Sequence, residues 1–154
     1  MPVVDALEPI VMGILNVTPD SFSDGGRFLD HKAALKHGTQ LVKEGANIVD
    51  VGGESTRPGA APVSPAEEID RVLPVIDELA NEVRVSIDTR HSEVAIAAVK
   101  AGATIINDVS ATLGSLAAEL GVGWVAVHMR GDPRTMQDDR VYRDVVGEVR
   151  YFLI

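Results

Sequence analysis

The sequence predicts an α/β fold of the (β/α)8 TIM-barrel type, truncated to about its first five β/α units. Five short apolar runs alternate with stretches of helical periodicity, which is typical of buried parallel strands connected by helices. Each run leads into a polar residue or a glycine pair: Asn16, Gly52-Gly53, Asp88, Asn107 and His128. A complete barrel takes about 250 residues, and this chain has 154. We therefore expect residues 1–154 to form a single unit, a partial barrel domain without strands six to eight.

The pattern places each element in order. The predicted strands span residues 10–15, 48–51, 83–88, 104–107 and 124–128. A long polar loop is expected at 17–30, and helices follow around 34–46, from Ser64 onward, at 94–99, at 113–120 and from near Arg143. Ser64, Pro65 and Glu67 have the positions of an N-cap, a first-turn proline and a capping-box acid. Pro74 is expected to interrupt or kink this second helix.

The third strand indicates which side chains face the barrel interior. Val85 and Ile87 alternate with Ser86 and Asp88, so the apolar pair should contact the helices and the polar pair should point inward. The same parity places Asp50 inward on the second strand, where we expect a structural role.

Composition and charge exclude several classes of protein. The chain is 45% hydrophobic and 24% charged, which is typical of a soluble globular protein, and its net charge of −9 argues against a nucleic-acid partner. It has no cysteine, and its apolar runs are far shorter than the roughly 20 residues that span a bilayer. The first eight residues lack the basic region of a secretory signal. We expect a cytoplasmic protein with no membrane partner.

Some chemistries can also be set aside. All four lysines lie on predicted helices, away from strand ends, which argues against a Schiff-base mechanism. Neither a P-loop nor a Rossmann fingerprint is present. Of the four histidines, which lack metal-ligand spacing, His128 alone ends a predicted strand; it is either a hydrogen-bonded rim residue or a chemical one.

The remaining candidates are amides, carboxylates, hydroxyls and a few arginines on the predicted rim, of which Arg57 is the best placed. Asp88 and Asn107 project from neighbouring strands and suit the edge of a flat polar heterocycle, or else they brace the barrel as a buried network. Thr56 and Arg57 beside Gly59 suit an anion, unless Arg57 is simply a solvated loop residue. Asn16 could coordinate a hard cation through its side-chain oxygen.

Five motifs then resemble those of dihydropteroate synthases, in the same order. They are GILNVTPDSFSDGG at 13–26, VDVGGESTRPG at 49–59, SIDT at 86–89, INDVS at 106–110 and HMRGDPRTMQ at 128–137. The resemblance covers nearly the whole chain from Val11 onward. The first two motifs are long and specific.

The resemblance implies a pterin-binding barrel enzyme of folate biosynthesis, a transferase. The family condenses 7,8-dihydropterin-6-ylmethyl diphosphate with 4-aminobenzoate, giving 7,8-dihydropteroate and diphosphate, and it is the target of sulfonamides. By motif position, Asn16 would contact the Mg²⁺ that accompanies diphosphate, and Asp88 and Asn107 would bind the pterin. Thr56 and Arg57 would belong to a mobile loop near the diphosphate and aminobenzoate. Arg57 and Asp88 are the catalytic candidates.

The sequence also departs from the family pattern. The family's later strands supply a further aspartate, a Ser-Arg-Lys segment and an arginine–histidine pair, which have no counterpart in these 154 residues. We therefore expect the isolated chain to be inactive. Two other interpretations stay open: a non-catalytic half-barrel module that assembles, for example as a homodimer, and a pterin-binding methyltransferase domain that uses methyltetrahydrofolate. The first motif favours the synthase over the methyltransferase.

Overall fold

The computed structural model describes residues 9–18, 27–54, 62–130 and 141–154, and for 27–30 it describes the backbone alone. Its centre is a parallel sheet of five strands that lie in chain order. The strands are β1 (Met12–Asn16), β2 (Ile48–Gly52), β3 (Arg84–Asp88), β4 (Ile105–Asp108) and β5 (Gly123–Ala126). This confirms the five predicted strands and the barrel-type alternation with helices. The prediction that β5 reaches His128 is wrong, because the strand ends two residues earlier.

The helices follow the strands as expected. They are α1 (Arg27–Lys43), α2 (Pro65–Leu79), α3 (Ser92–Lys100), α4 (Gly114–Leu120) and α5 (Val145–Leu153). The predicted loop at 17–30 is too long, since the backbone is already helical at Arg27. In the sequence Arg27 directly follows two glycines, so the change in helix propensity lies there and not at Asp30. None of the described helices combines the length and apolar character that crossing a bilayer requires.

Helix α2 begins as the sequence predicts but is not interrupted. The Ser64 hydroxyl oxygen accepts a hydrogen bond from the Glu67 amide at 3.3 Å, and Pro65 is the first helical residue. The expected break at Pro74 is wrong, because the helix continues to Leu79. Pro74 lies on the exposed side, while Val72 and Val75 on either side of it are fully buried. Packing of that apolar face keeps the helix continuous despite the missing amide donor.

The two faces of the sheet have different characters. One face packs against the helices through side chains that are completely buried: Leu15, Val49, Val51, Val85, Ile87 and Ile106. The other face carries Asp50, Ser86, Asp88 and Asn107, which lie opposite one another in the strand register. Ile14 and Val125 on this second face remain 55% and 42% exposed. The predicted inward direction of Asp50, Ser86 and Asp88 is therefore confirmed.

Short turns return each helix to the next strand. Gly102, between α3 and β4, has a φ of +112°, and a Cβ at this position would lie 2.6 Å from the Ala80 Cβ. Backbone conformation and space together restrict this position to glycine. Such tight turns leave the longer connections on the opposite rim, at the carboxyl ends of the strands, which is the rim that carries the functional residues of barrel enzymes.

Candidate active site

Three of the predicted site residues lie in one row across the ends of four strands. Asn16 of β1 is paired in register with Gly52 of β2, Gly52 with Asp88 of β3, and Asp88 with Asn107 of β4. These residues are therefore immediate neighbours on the inner face of the sheet. The sequence predicted each of these polar residues from the end of its strand, and the parallel register is what brings them together.

Gly52 leaves a gap in the middle of this row. A Cβ built on Gly52 would lie 3.5 Å from an Asp88 carboxylate oxygen and 3.7 Å from the Asn16 side-chain oxygen. Those are ordinary contact distances, so the space where a side chain would stand is flanked by two oxygen atoms. The gap gives a ligand access to both.

Asn107 also takes part in a buried hydrogen bond. Its side-chain Nδ2 donates to Oδ2 of Asp50 at 2.9 Å, and Asp50 is 2% exposed. The structural interpretation of Asn107 is thus partly correct, because one end of its amide braces the inner face. The structure gives Asp50 the bracing role expected for it.

Asp88 differs from Asn107 in its surroundings. Among the described residues its carboxyl group has no hydrogen-bond partner. Burial raises the pKa of Asp88 to about 7, and the negative charges of Asp50, Glu68, Glu54 and Asp108 add to this effect. A carboxyl group with a pKa raised to about 7, and with no hydrogen-bond partner in the described part of the chain, can bind a ligand or exchange protons with it.

A network of charged side chains lies beside this row, where β2 and β3 end. Arg90 donates to both carboxylate oxygens of Glu54, at 2.9 and 3.0 Å, and this hydrogen-bonded ion pair is the main reason that the pKa of Glu54 is lowered. His91 Nδ1 lies 2.7 Å from Oε2 of Glu68, which is fully buried on α2. The first pair connects the residues after β2 and β3 across 36 positions of sequence, and the second connects α2 with the residues after β3 across 23. Sequence spacing gave no signal for them.

Glu54, Glu68 and His91 also have the composition of a metal site. Each places one potential ligand atom within 4.8 Å of the other two. However, the Arg90 guanidinium already occupies both oxygens of Glu54, and its positive charge opposes that of a cation. We interpret this network as a brace for the rim of the sheet.

Asp108 at the end of β4 holds the next loop in place. Its two oxygens accept hydrogen bonds from the Ser110 amide and hydroxyl, the Leu113 amide and the Trp124 indole. Burial alone would raise the pKa of Asp108, but these donors outweigh it and lower the pKa. Asp108 faces the helices, opposite to Asn107, and was not among the predicted site residues. Its position directly after Asn107 was the available signal.

The remaining predicted site residues, beyond the row, are Thr56, Arg57 and His128. Thr56 and Arg57 lie outside the described residues, as do most of the first loop and residues 131–140. His128 follows β5 and packs edge-on against Phe152 of α5, with ring centroids 4.8 Å apart. Its Nδ1 lies 3.5 Å from the Tyr142 hydroxyl. These contacts agree with the interpretation of His128 as a rim residue.

The fold and the polar row define a class of protein, a (β/α)-barrel enzyme whose site lies at the carboxyl ends of the strands. This chain contributes five of those strands. Comparison with known proteins gives the family. The model of the pterin binding enzyme family matches residues 12–154. The dihydropteroate synthase of Escherichia coli (strain K12) is 51% identical over 157 residues, a match that covers 97% of this chain and 56% of the relative.

Solved structures agree with this match. A dihydropteroate synthase of Xanthomonas albilineans with 4-aminobenzoic acid has a TM-score of 0.81 and 50% identity, covering 94% of this chain and 53% of that one. A Burkholderia cenocepacia dihydropteroate synthase complexed with 7,8-dihydropteroate has a TM-score of 0.77 and 42% identity, covering 96% of this chain and 51% of that one. The chain belongs to the pterin-binding enzyme family, and the relatives named here are dihydropteroate synthases. It spans about half the length of the relatives it matches.

Proposed function

We propose that this chain provides the pterin-binding half of a dihydropteroate synthase site. The reaction joins 7,8-dihydropterin-6-ylmethyl diphosphate to 4-aminobenzoate and releases diphosphate. The observation that carries the proposal is the row of Asn16, Asp88 and Asn107, which share one inner face around the gap at Gly52. The relatives bound to 4-aminobenzoic acid and to 7,8-dihydropteroate support the choice of substrates. They also favour the synthase over the methyltransferase.

The charges around the row suit the chemistry of this reaction. When the bond between the methylene carbon and the diphosphate oxygen breaks, positive character develops on the pterin ring. Asp88 is surrounded by the carboxylates of Asp50, Glu54 and Glu68, and this negative field would stabilise the cationic ring. The amine nitrogen of 4-aminobenzoate then forms the new bond to the methylene carbon and loses a proton. Asp88, with its pKa near 7, would bind the ring in either protonation state.

We also propose that Mg²⁺ assists the reaction. The side-chain oxygen of Asn16 is of the kind that this hard cation prefers, and it borders the gap at Gly52. The ion would neutralise charge on the departing diphosphate. Asn16 would hold it at the open end of the row, and the protein's own part is to keep that oxygen on the same side of the sheet as Asp88. Thr56 and Arg57 remain proposed contacts for the diphosphate and aminobenzoate.

Calorimetric titration with 6-hydroxymethyl-7,8-dihydropterin tests the site directly. We expect Asp88→Ala and Asn107→Ala each to weaken binding by about 1–3 kcal/mol, since each removes a polar partner of the ring. Asp77→Ala is a matched control, because Asp77 is exposed on α2. Affinity that stays unchanged in both site variants would reject the assignment, as would an equal loss in the control.

The wider setting is also part of the proposal. We propose a cytoplasmic enzyme that is inhibited by sulfonamides, as the family resemblance implies. The absence of cysteine fits a reducing compartment. Displacement of bound 4-aminobenzoate by a sulfonamide, measured by calorimetry, tests this inhibition without requiring turnover.

A further inference from the structure

Asp50 is a buried acid that the proposed reaction does not use directly. It lies in the middle of β2, two residues before Gly52, and is 2% exposed. Its Oδ2 accepts the 2.9 Å hydrogen bond from Nδ2 of Asn107, two strands away. Asp50 therefore contacts a proposed pterin-binding residue on the same inner face, one repeat of the strand pleat further from the carboxyl ends of the strands.

The chemistry of this contact determines how the Asn107 amide is oriented. A carboxylate oxygen only accepts hydrogen bonds, whereas an asparagine side chain has a donating end and an accepting end. The end of Asn107 that faces Asp50 must therefore be its NH₂ group. The Oδ1 of Asn107 and its second N–H remain for a ligand.

Burial makes this contact hard to break. Oδ1 of Asp50 and the hydroxyl of Ser86, its neighbour in register, are buried and lack hydrogen-bond partners among the described residues. The Asn107 NH₂ group is thus the side-chain donor on which the buried Asp50 carboxylate depends. Turning the amide over would bring two oxygens together and leave the carboxylate unpaired, which is strongly unfavourable in a buried site.

We propose that Asp50 is a positioning residue that fixes the orientation of the Asn107 amide. It thereby determines which hydrogen-bond donors and acceptors a ligand must present to Asn107. Asn107 lies beside Asp88 in register, so a fixed amide and the adjacent carboxyl group present one defined edge. The selection of a pterin by this oriented amide rests on the proposed function, whereas the orientation of the amide by Asp50 does not.

The first test needs no ligand. In ¹H–¹⁵N spectra of the chain, the side-chain NH₂ signals of Asn107 are assigned by their loss in Asn107→Asp. We expect Asp50→Asn, which keeps the shape of the side chain, to shift these signals and to accelerate their exchange with water. Ser86→Ala changes a buried neighbour that makes no hydrogen bond to Asn107, and it should leave the exchange rate unchanged. Asp50→Ser provides a second variant if Asp50→Asn does not fold.

The second test measures specificity. The affinities of each variant are compared for 6-hydroxymethyl-7,8-dihydropterin and for its analogue with a 2-oxo group in place of the 2-amino group. We expect Asp50→Asn to reduce the ratio of the two affinities on the order of tenfold, because the amide can then face either way. If Asp50 had a merely structural role, its substitution would weaken the binding of both ligands equally and preserve the ratio of their affinities. Ser86→Ala should likewise preserve the ratio.

The two tests separate the possible failures. Asn107 signals that are identical in wild type and Asp50→Asn would overturn the positioning role, and so would an unchanged affinity ratio. If the wild-type chain binds neither ligand, the proposed function fails, and the exchange measurement alone decides whether Asp50 orients the amide.

Discussion

Asp88 combines two properties that are rarely found together in a stable protein. It is largely buried, and among the described residues no hydrogen bond compensates its charge. Because burial and four nearby carboxylates raise its pKa from 3.8 to about 7, the neutral form is favoured in the folded state. An acid with a raised pKa destabilises the folded state once it ionises, which is the expected signature of a residue retained for binding.

This property predicts how stability depends on pH. In the unfolded chain Asp88 ionises near its ordinary pKa, so the folded state loses stability relative to the unfolded state as the pH rises from about 4 to 7. We expect Asp88→Asn, which cannot ionise, to be more stable than wild type by roughly 2–4 kcal/mol above pH 7.5. The difference should shrink towards pH 4. Urea unfolding of both proteins across this range measures it, and a difference that does not vary with pH would show that Asp88 is not perturbed.

Asp108 shows the opposite behaviour one position after Asn107. Its pKa is lowered by four hydrogen-bond donors, despite burial, so its charged form stabilises the folded state. That stabilisation is present above the unfolded pKa of about 3.9 and is lost as the pH falls through the lower folded pKa.

Removing the Asp108 side chain should therefore loosen the start of α4. We expect Asp108→Ala to reduce the free energy of unfolding by about 2–4 kcal/mol at pH 7, since it leaves the buried Leu113 amide and the Trp124 indole without their acceptor. Thermal unfolding followed by Trp124 fluorescence measures the loss. Ser115→Ala, an exposed change on α4, is the control. A melting temperature equal to that of the control would contradict the role given to Asp108.

At the scale of the elements, Gly52 at the end of β2 and Gly53 directly after it face different sides of the sheet. A Cβ on Gly53 would lie 2.8 Å from Val72 Cγ1, 2.9 Å from Glu68 Cγ and 3.2 Å from the Glu68 carbonyl oxygen. Gly53 therefore permits close packing of α2 on the sheet. Gly52 faces the inner side, where a Cβ would meet only ordinary contact distances beside Asp88 and Asn16.

These neighbours should respond differently to the same substitution. We expect Gly53→Ala to destabilise the chain by about 1–3 kcal/mol through overpacking against α2. Gly52→Ala should leave the unfolding free energy nearly unchanged but fill the gap in the row and weaken dihydropterin binding. Each variant is the control for the other, with urea unfolding and calorimetry as the two measurements. Equal stability losses would contradict the assignment of the two faces.

Hydrophobic alternation and strand-end chemistry predicted much of this arrangement. The inward direction of Asp88 follows from the period of two in β3, and its proximity to Asn107 follows from a parallel sheet in chain order. The ion pair of Glu54 with Arg90 and the hydrogen bond between Glu68 and His91 could not be predicted in this way. The first depends on how the ends of β2 and β3 lie side by side and the second on how α2 packs on the sheet, and no local pattern records contacts between residues so far apart in sequence. Likewise, α2 continues through Pro74 because its tertiary packing outweighs the tendency of proline to break a helix.

At the scale of the whole molecule, the five-stranded sheet corresponds to part of the barrel of its relatives. The family resemblance assigns the main cations of the diphosphate site to strands beyond the fifth. We therefore expect the 154 residues, assayed with Mg²⁺ and both substrates, to produce 7,8-dihydropteroate at a negligible rate. Turnover comparable to that of the Escherichia coli relative would contradict this expectation.

The inner face also bears on assembly. Ile14 and Val125 on that face are about half exposed in a sheet that spans five strands. The homodimer expected from the half-barrel interpretation would cover such side chains. Sedimentation equilibrium at several concentrations distinguishes a dimer from a monomer of 16.4 kDa.

The most direct measurement is a crystal structure of the chain with bound 6-hydroxymethyl-7,8-dihydropterin. We expect the bicyclic ring to lie on the inner face of the sheet, with its nitrogen edge within hydrogen-bond distance of both Asp88 and Asn107. A ring bound elsewhere, or one that contacts neither side chain, would contradict this expectation.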